Sequence, residues 1–324
     1  MPSDKQVPLD IAVGILVDQA GRLLIALRRP GTPGEGLWEF PGGKREGEEP
    51  MRDCLARELA EEVGVTDCRL DTPLIRFMHT QGERPVRLHV WRIDQWQGEP
   101  SGLEGQQLAW VERGALVDYP LLPATDVILC ALDLPGRYPI TPALSAADPD
   151  AWWARLDSLL AQPDIRLLRL RDQGLSDADY QALAAKVVEA AGRHDVAVLV
   201  DRSLAVCEAV GAAGLHWSVA RLLESGRPEL APGQLLAVSA HTGTDLATAV
   251  ERGADFAVLS PVAATPTHPG APALGWEGWC AARADHALPV YALGGLGEAD
   301  LTAAQRRNAQ GVAAIRGFWK AAVD

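Results

Sequence analysis

From residue 138 onward the chain repeats one pattern, a short apolar run followed by an alanine-rich helical segment. The runs cover 138–141, 165–170, 196–200, 214–216, 235–239, 256–259, 290–292 and 311–315, with helical segments between them and after the last. Strands joined by helices pair in parallel, and eight such β-then-α units in series predict a (β/α)8 barrel. Nothing before residue 132 shows this alternation. The segment LDLPGRYP at 132–139 holds two prolines and a glycine and reads as a linker. A chain of 324 residues is comfortable as two domains, so the reading is two α/β domains, 1–134 and 135–324.

The first domain is organised around PGGKREGEEPMRDCLARELAEEVGV, residues 41–65. Pro50 suits the first turn of a helix and Gly64 the left-handed position beyond its end. On that helix Glu58, Glu61 and Glu62 stand at i, i+3 and i+4, so their carboxylates emerge on one face beside an apolar stripe of Leu55, Leu59 and Val63. The bland reading is a solvated acidic face. Three adjacent like charges raise the cost of ionising the last of them unless a cation sits between them, which argues for a divalent metal. The Gly42-Gly43 turn lets the backbone approach a phosphate or a metal. Runs at 9–17 and 23–27, separated by Asp18-Gln19-Ala20-Gly21, read as a hairpin, and 74–79, 86–96 and 109–111 as further strands. A short helix is expected to close the domain.

The stretch resembles the Nudix hydrolase signature, G-x5-E-x7-R-E-U-x-E-E-x-G-U with U a bulky aliphatic residue. Gly43, Glu49, Arg57, Glu58, Leu59, Glu61, Glu62, Gly64 and Val65 fill its fixed positions. The resemblance implies an α/β/α sandwich with a mixed sheet, a Mg2+ cofactor (Mn2+ as its substitute), and attack of water on a nucleoside triphosphate to give monophosphate and pyrophosphate. Carried over residue by residue, it implies Glu58, Glu61, Glu62 and the Gly42 carbonyl as metal ligands, Arg57 orienting a carboxylate, and Glu49 behind it. Arg28 and Arg29, before the Gly/Pro loop 30–36, are candidates for a phosphate clamp. The segment LWEFPGGK at 37–44 and the loop 102–106 are similar to the MutT branch, whose members hydrolyse oxidised guanine nucleoside triphosphates. This adds Glu104 as a further ligand or base, and Glu39, Phe40, Pro41, Gly42 and Thr125 as substrate contacts. Thr125 stands where that branch has a base-reading Asn. It offers one hydroxyl in place of an amide's donor and acceptor.

The strand ends of the second domain carry RLRD at 169–172, VDR at 200–202, LHW at 215–217, SAHT at 239–242, SPV at 260–262 with TPTHPG at 265–270, and Gly294-Gly295. In order, they look like thiamine monophosphate synthase and its relative TenI, a thiazole tautomerase. The resemblance implies a site at the C-terminal strand ends, with Arg171, Asp201, His241, Gly294 and Gly295 as candidates. Gln173, Val200 and Arg221 replace the lysine, asparagine and acidic residue with which that pattern holds Mg2+ and pyrophosphate. The barrel therefore reads as a degenerate synthase. Trp217, Trp276, Trp279 and Trp319 could line a pocket, with buried core or helix packing as the default expectation.

A net charge of −13 argues against a duplex nucleic-acid surface, so an anionic substrate must be held by local arginines and metal. The five cysteines show no CxxC pair and read as reduced thiols. The N-terminus lacks an apolar signal core and no run reaches the ~18 residues of a membrane span, so a cytoplasmic protein is expected. Oligomeric state is open. Three readings follow: an 8-oxo-dGTP diphosphatase with a degenerate barrel, a hydrolase of thiamine-pathway pyrophosphates or a barrel with tautomerase or synthase activity, and a barrel that senses a phosphorylated metabolite.

Overall fold

The structure, a computed structural model, describes residues 7–81, 84–264 and 272–319. It divides into two compact units, Met1–Leu132 and Asp133–Asp324.

In the first unit the order is β1 (Leu9–Leu16), β2 (Leu23–Leu27), β3 (Trp38–Glu39), β4 (Gly42–Lys44), α1 (Met51–Val63), β5 (Ile75–Gln81), β6 (Arg84–Ile93), β7 (Leu108–Val111) and α2 (Thr125–Asp133). A four-stranded mixed sheet runs β4-β1-β6-β5, with β1 and β6 parallel, and a three-stranded antiparallel sheet runs β3-β2-β7. The expected hairpin of β1 and β2 is only partly present. Its turn forms, with Asp18 accepting from the backbone of Ala20 and Arg22, but Val17 and Leu23 make a single antiparallel bridge before the strands part into different sheets. The reason lies in β1, which is committed along its whole length to β6.

Helix α1 follows Pro50 and stops at Gly64, whose φ of 72° is the left-handed cap and whose N–H bonds back to Leu59. Its apolar stripe, Leu55, Leu59 and Val63, is fully buried against Ala12, Leu16, Leu24, Trp91 and Ile93. At about 1.5–3 kcal/mol per buried side chain, this stripe fixes which helix face is left for chemistry.

In the second unit the elements are β8 (Arg137–Pro139), α3 (Pro149–Leu160), β9 (Leu167–Leu170), α4 (Asp177–Gly192), β10 (Ala197–Val200), α5 (Leu204–Val210), β11 (Gly214–Ser218), α6 (Val219–Ser225), β12 (Leu235–Ala240), α7 (Gly243–Glu251), β13 (Phe256–Leu259), α8 (Gly275–Arg283), β14 (Val290–Leu293), α9 (Leu301–Gln305) and β15 (Gly311–Ala314). All eight predicted strands are present within one or two residues and form one parallel sheet, β8-β15-β14-β13-β12-β11-β10-β9. An Ile140–Arg169 bridge links its ends and closes the barrel. The helices begin close behind the strand ends because Ser176, Ser203, Ser218 and Thr242 each accept a backbone N–H three residues on, capping α4, α5, α6 and α7. Its interior is filled: Tyr138, Phe256 and Tyr291 pack with ring centroids 5.3–5.5 Å apart. The helix expected after the last strand is not seen among the described residues, and the TPTHPG segment lies outside them.

None of the five cysteines forms a disulfide. No helix among the described residues is long and apolar enough to cross a membrane.

Candidate active site

Gly42 and Gly43 lie on β4 against β1, directly over the polar face of α1. A Cβ on Gly42 would fall 2.1 Å from the Ala12 carbonyl oxygen, and one on Gly43 would fall 2.1 Å from the Glu58 carboxyl carbon. Only bare backbone lets strand and carboxylate approach this closely. The signature glycines are thus explained by space on a paired strand, where the sequence predicted a turn.

Arg57 organises the carboxylates beside them. Its guanidinium donates to Glu49 Oε1 at 2.8 Å, to Glu58 Oε1 at 3.0 Å, to Glu61 Oε2 at 3.1 Å and to the Lys44 carbonyl at 3.2 Å. The bond from Arg57 holds the Glu49 carboxyl down at about 2, so Glu49 stays ionised and keeps Arg57 in place. Burial raises Glu58 above the usual carboxylate range, opposed by Arg57. Burial also pushes the neighbouring Cys54 thiol up to about 12, which makes it an inert core group.

Glu62 is different. Its carboxylate accepts from the Gly42 N–H at 3.1 Å, and no side-chain cation pairs with it among the described residues. Burial first, and then repulsion from Glu58, Glu39 and Glu104, pushes it up to about 7 against the Gly42 bond. A half-buried carboxylate facing three others is an oxygen site that a hard divalent cation would relieve, so the residues fit the metal that Nudix hydrolases generally use. The expectation of a gathered cluster is not met side chain by side chain. Among the described residues no group of three His, Cys, Asp or Glu stands at metal-ligand spacing. Glu58 and Glu61 are held by Arg57, while Glu61 remains 59% exposed at its side chain and Glu62 turns to Gly42.

Glu104 sits on the loop 102–106, which is tied to the end of α1. Leu103 N–H and the Gln106 side-chain amide both donate to the Glu62 carbonyl, at 3.0 and 2.8 Å. Arg29 pairs with the Glu104 carboxylate at 2.7 Å, and Arg28 pairs with Glu39 while its Nε donates to the Pro33 carbonyl at 2.7 Å. Both candidate clamp arginines are therefore matched to carboxylates. The Arg28 pairing was not foreseen: Glu39 is registered opposite Ala26, and Arg28, just past the end of β2, reaches it diagonally. Burial raises Glu39, with Arg28 opposing it. Phe40 and Pro41 are buried and shape the strand from inside. Thr125 is 3% exposed in the first turn of α2, with its N–H bonded to the Leu122 carbonyl at 2.9 Å. Trp38 and Tyr119 pack edge to face at 5.3 Å beside that segment.

In the second unit a cavity of 1130 Å³ opens at the C-terminal strand ends and is lined by all the candidates, Arg171, Asp201, His241, Gly294 and Gly295. The His241 ring Nδ1 donates to the Ser260 carbonyl at 2.9 Å. His216, read in the sequence only as part of the LHW strand end and not as a candidate, lines the cavity with Nδ1 at 2.9 Å from the Tyr138 hydroxyl and Nε2 at 2.9 Å from Ser239 Oγ. Its partners are 78 and 23 residues away, and no local signal joins them. Burial and the nearby Arg169 and Arg171 hold its pKa well below the usual histidine value. Trp217 lines the cavity and donates to the Arg202 carbonyl at 2.8 Å, whereas Trp279 is buried and donates to that of Leu259.

Comparison with known proteins agrees with this division. The NUDIX domain model matches residues 12–131 and the thiamine monophosphate synthase model residues 138–318. A CTP pyrophosphohydrolase of Escherichia coli (strain K12) is 33% identical over 112 residues, 35% of this chain and 82% of that protein. An 8-oxo-dGTP diphosphatase of the same organism is 32% identical over 124 residues, 38% of this chain and 95% of that protein. A thiamine-phosphate synthase 2 of Streptococcus pneumoniae serotype 4 (strain ATCC BAA-334 / TIGR4) is 31% identical over 158 residues, 48% of this chain and 75% of that protein. With the signature helix, the two folds and these matches in agreement, the chain belongs to the Nudix hydrolases through its first domain and to the thiamine monophosphate synthase family through its second.

Proposed function

We propose that the first domain is a Mg2+-dependent pyrophosphohydrolase that splits a nucleoside triphosphate into monophosphate and pyrophosphate, with 8-oxo-dGTP as its preferred substrate. The observation that carries this is Glu62, a carboxylate raised to about 7 by burial and by three carboxylate neighbours, set against the backbone of the glycine turn. Glu58, Glu61, Glu62, the Gly42 carbonyl and Glu104 would hold the metal, with Mn2+ as a substitute. When bound, the metal supplies charge neutralisation for the polyphosphate and acidifies a water. Arg57 positions Glu58 and Glu61, and Glu49 keeps Arg57 oriented. Arg28 and Arg29 meet the phosphates by exchanging their Glu39 and Glu104 partners for a phosphate oxygen, a swap between charge-assisted bonds of similar strength.

The 8-oxo-dGTP diphosphatase relative supports the guanine substrate. A second reading, CTP, is favoured by the CTP pyrophosphohydrolase relative together with the buried single hydroxyl of Thr125. Initial rates of the full chain on 8-oxo-dGTP, dGTP and CTP with Mg2+ decide between them. A higher kcat/KM for 8-oxo-dGTP than for dGTP supports the first reading; equal values for the two purines with faster CTP turnover reject it. The barrel is proposed to lack synthase turnover, since Gln173, Val200 and Arg221 remove a lysine, an amide and a carboxylate from the charge-handling positions.

A further inference from the structure

Five arginines face a single carboxylate at the mouth of the barrel. Among the described residues, Arg169, Arg171, Arg202, Arg221 and Arg316 line the cavity, and Asp201 is the one acidic liner. The deepest of them, Arg169, is 9% exposed, and its Nε has no hydrogen-bond partner. The Arg169 Nη1 lies 3.5 Å from Ser239 Oγ and its Nη2 3.9 Å from Asp201, and that carboxylate is shared with Arg202 at 3.4 Å. A buried guanidinium so weakly matched is costly unless an anion completes it.

The outer arginines are held ready. Arg202 lies over the Tyr180 ring at 4.4 Å and donates to the Asp172 carbonyl at 2.7 Å; its remaining acidic contact, Asp177, is 88% exposed. Arg221 lies over the Trp217 ring at 4.5 Å and donates to the Asp201 carbonyl at 3.3 Å. Arg171 reaches the Gln173 side-chain oxygen at 3.2 Å. Stacking fixes the planar forks before a ligand arrives, so less conformational entropy is lost when two N–H groups engage one oxyanion.

The same inventory offers little to a divalent cation. Among the described residues no three acidic, histidine or cysteine groups gather here, and a cation beside Asp201 would face guanidinium groups. We propose that this mouth is a metal-independent site for a diphosphate-class anion, held by Arg171, Arg202 and Arg221 above the buried Arg169. This differs from the metal-assisted pyrophosphate site that the synthase resemblance implies, and it stands whether or not the first domain is a hydrolase. The cavity exceeds the size of a bare diphosphate, and the wall of Ile140, Trp217, Leu293 and Leu296 leaves room for an organic group attached to it.

The test is calorimetric titration of the full chain with inorganic pyrophosphate in EDTA, with malonate as a dicarboxylate control. The expected result is binding without metal that weakens roughly tenfold or more in Arg221→Asp and in Arg171→Gln, with malonate much weaker. Arg171→Gln keeps the test open should the first variant unfold, and melting curves of both establish that they are folded. Binding that appears only when Mg2+ is added overturns the proposal. So does binding unchanged in both folded variants, or malonate binding as tightly as pyrophosphate.

Discussion

Replacing Gly43 by alanine isolates the geometry of the proposed catalytic carboxylates from the stability of the fold. The φ of Gly43 lies outside the left-handed region, so alanine introduces no backbone strain there. The whole perturbation is one methyl group placed 2.1 Å from the Glu58 carboxyl carbon and from Oε2. Carbon atoms in contact need about 3.5 Å, so the carboxylate must retreat by about 1.4 Å. Since Glu58 can swing away on a flexible side chain, the change in stability should be about 1 kcal/mol or less. The retreat parts Glu58 from Arg57, now 3.0 Å away, and moves a proposed metal ligand away from its place. A misplacement of about 1 Å at a reacting centre can lower turnover about 100-fold, equivalent to about 2.7 kcal/mol of barrier. Pyrophosphate release with saturating Mg2+, alongside a melting curve, reads both quantities. A variant that melts like the parent and loses about 100-fold in kcat/KM agrees with this geometry. Turnover within about twofold of the parent would refute the claim that Glu58 acts from the position described.

Further predictions follow from the same contacts. Glu62→Gln keeps an acceptor for the Gly42 N–H but removes a charge that burial and three carboxylates oppose. Because the native pKa is raised from 4.5 to about 7, stability falls as pH rises between those values and the whole loss is in place above about pH 7. In EDTA at about pH 8 this variant should melt higher than the parent, and Mg2+ should no longer raise its melting temperature. Gly64→Ala forces alanine into a left-handed cap at φ 72° and should cost about 1 kcal/mol in denaturant unfolding, with the cavity-lined barrel unaffected. His216 is held neutral by burial, its folded pKa below the unfolded one, so its stabilisation is complete above about pH 6.5 and declines at lower pH. The second domain should lose up to about 1.4 kcal/mol per pH unit there, and His216→Gln should flatten that slope in urea melts at several pH values.

Much of this architecture was legible because the deciding signals are local. The apolar runs of the barrel, the proline and glycine that bracket α1, and the spacing of Glu58, Glu61 and Glu62 each act within one element. The fate of β2 was not legible. An Asp-Gln-Ala-Gly turn between two apolar runs predicts a hairpin, but which sheet each strand joins depends on β6, some 70 residues away. Arg57 was expected to orient one carboxylate and instead holds Glu49, Glu58 and Glu61, since its planar fork can serve several acceptors at once. The pairing of Arg28 with Glu39 and of Arg29 with Glu104 required the fold to bring the loops together. In the barrel, the strand-end residues were visible as a series. The unpartnered Nε of Arg169, and the Tyr138–His216–Ser239 chain, emerged only when eight strands placed distant residues in one interior.

The central claim is that a metal-dependent carboxylate site on α1 cleaves a nucleoside triphosphate to monophosphate. Phosphorus NMR of the products formed by the full chain from 8-oxo-dGTP with Mg2+, compared with Glu62→Gln under the same conditions, tests it most directly. The account predicts pyrophosphate and nucleoside monophosphate in equal amounts, and a loss of about 100-fold or more in the variant. Release of inorganic phosphate as the first product, or undiminished turnover by Glu62→Gln, would contradict it.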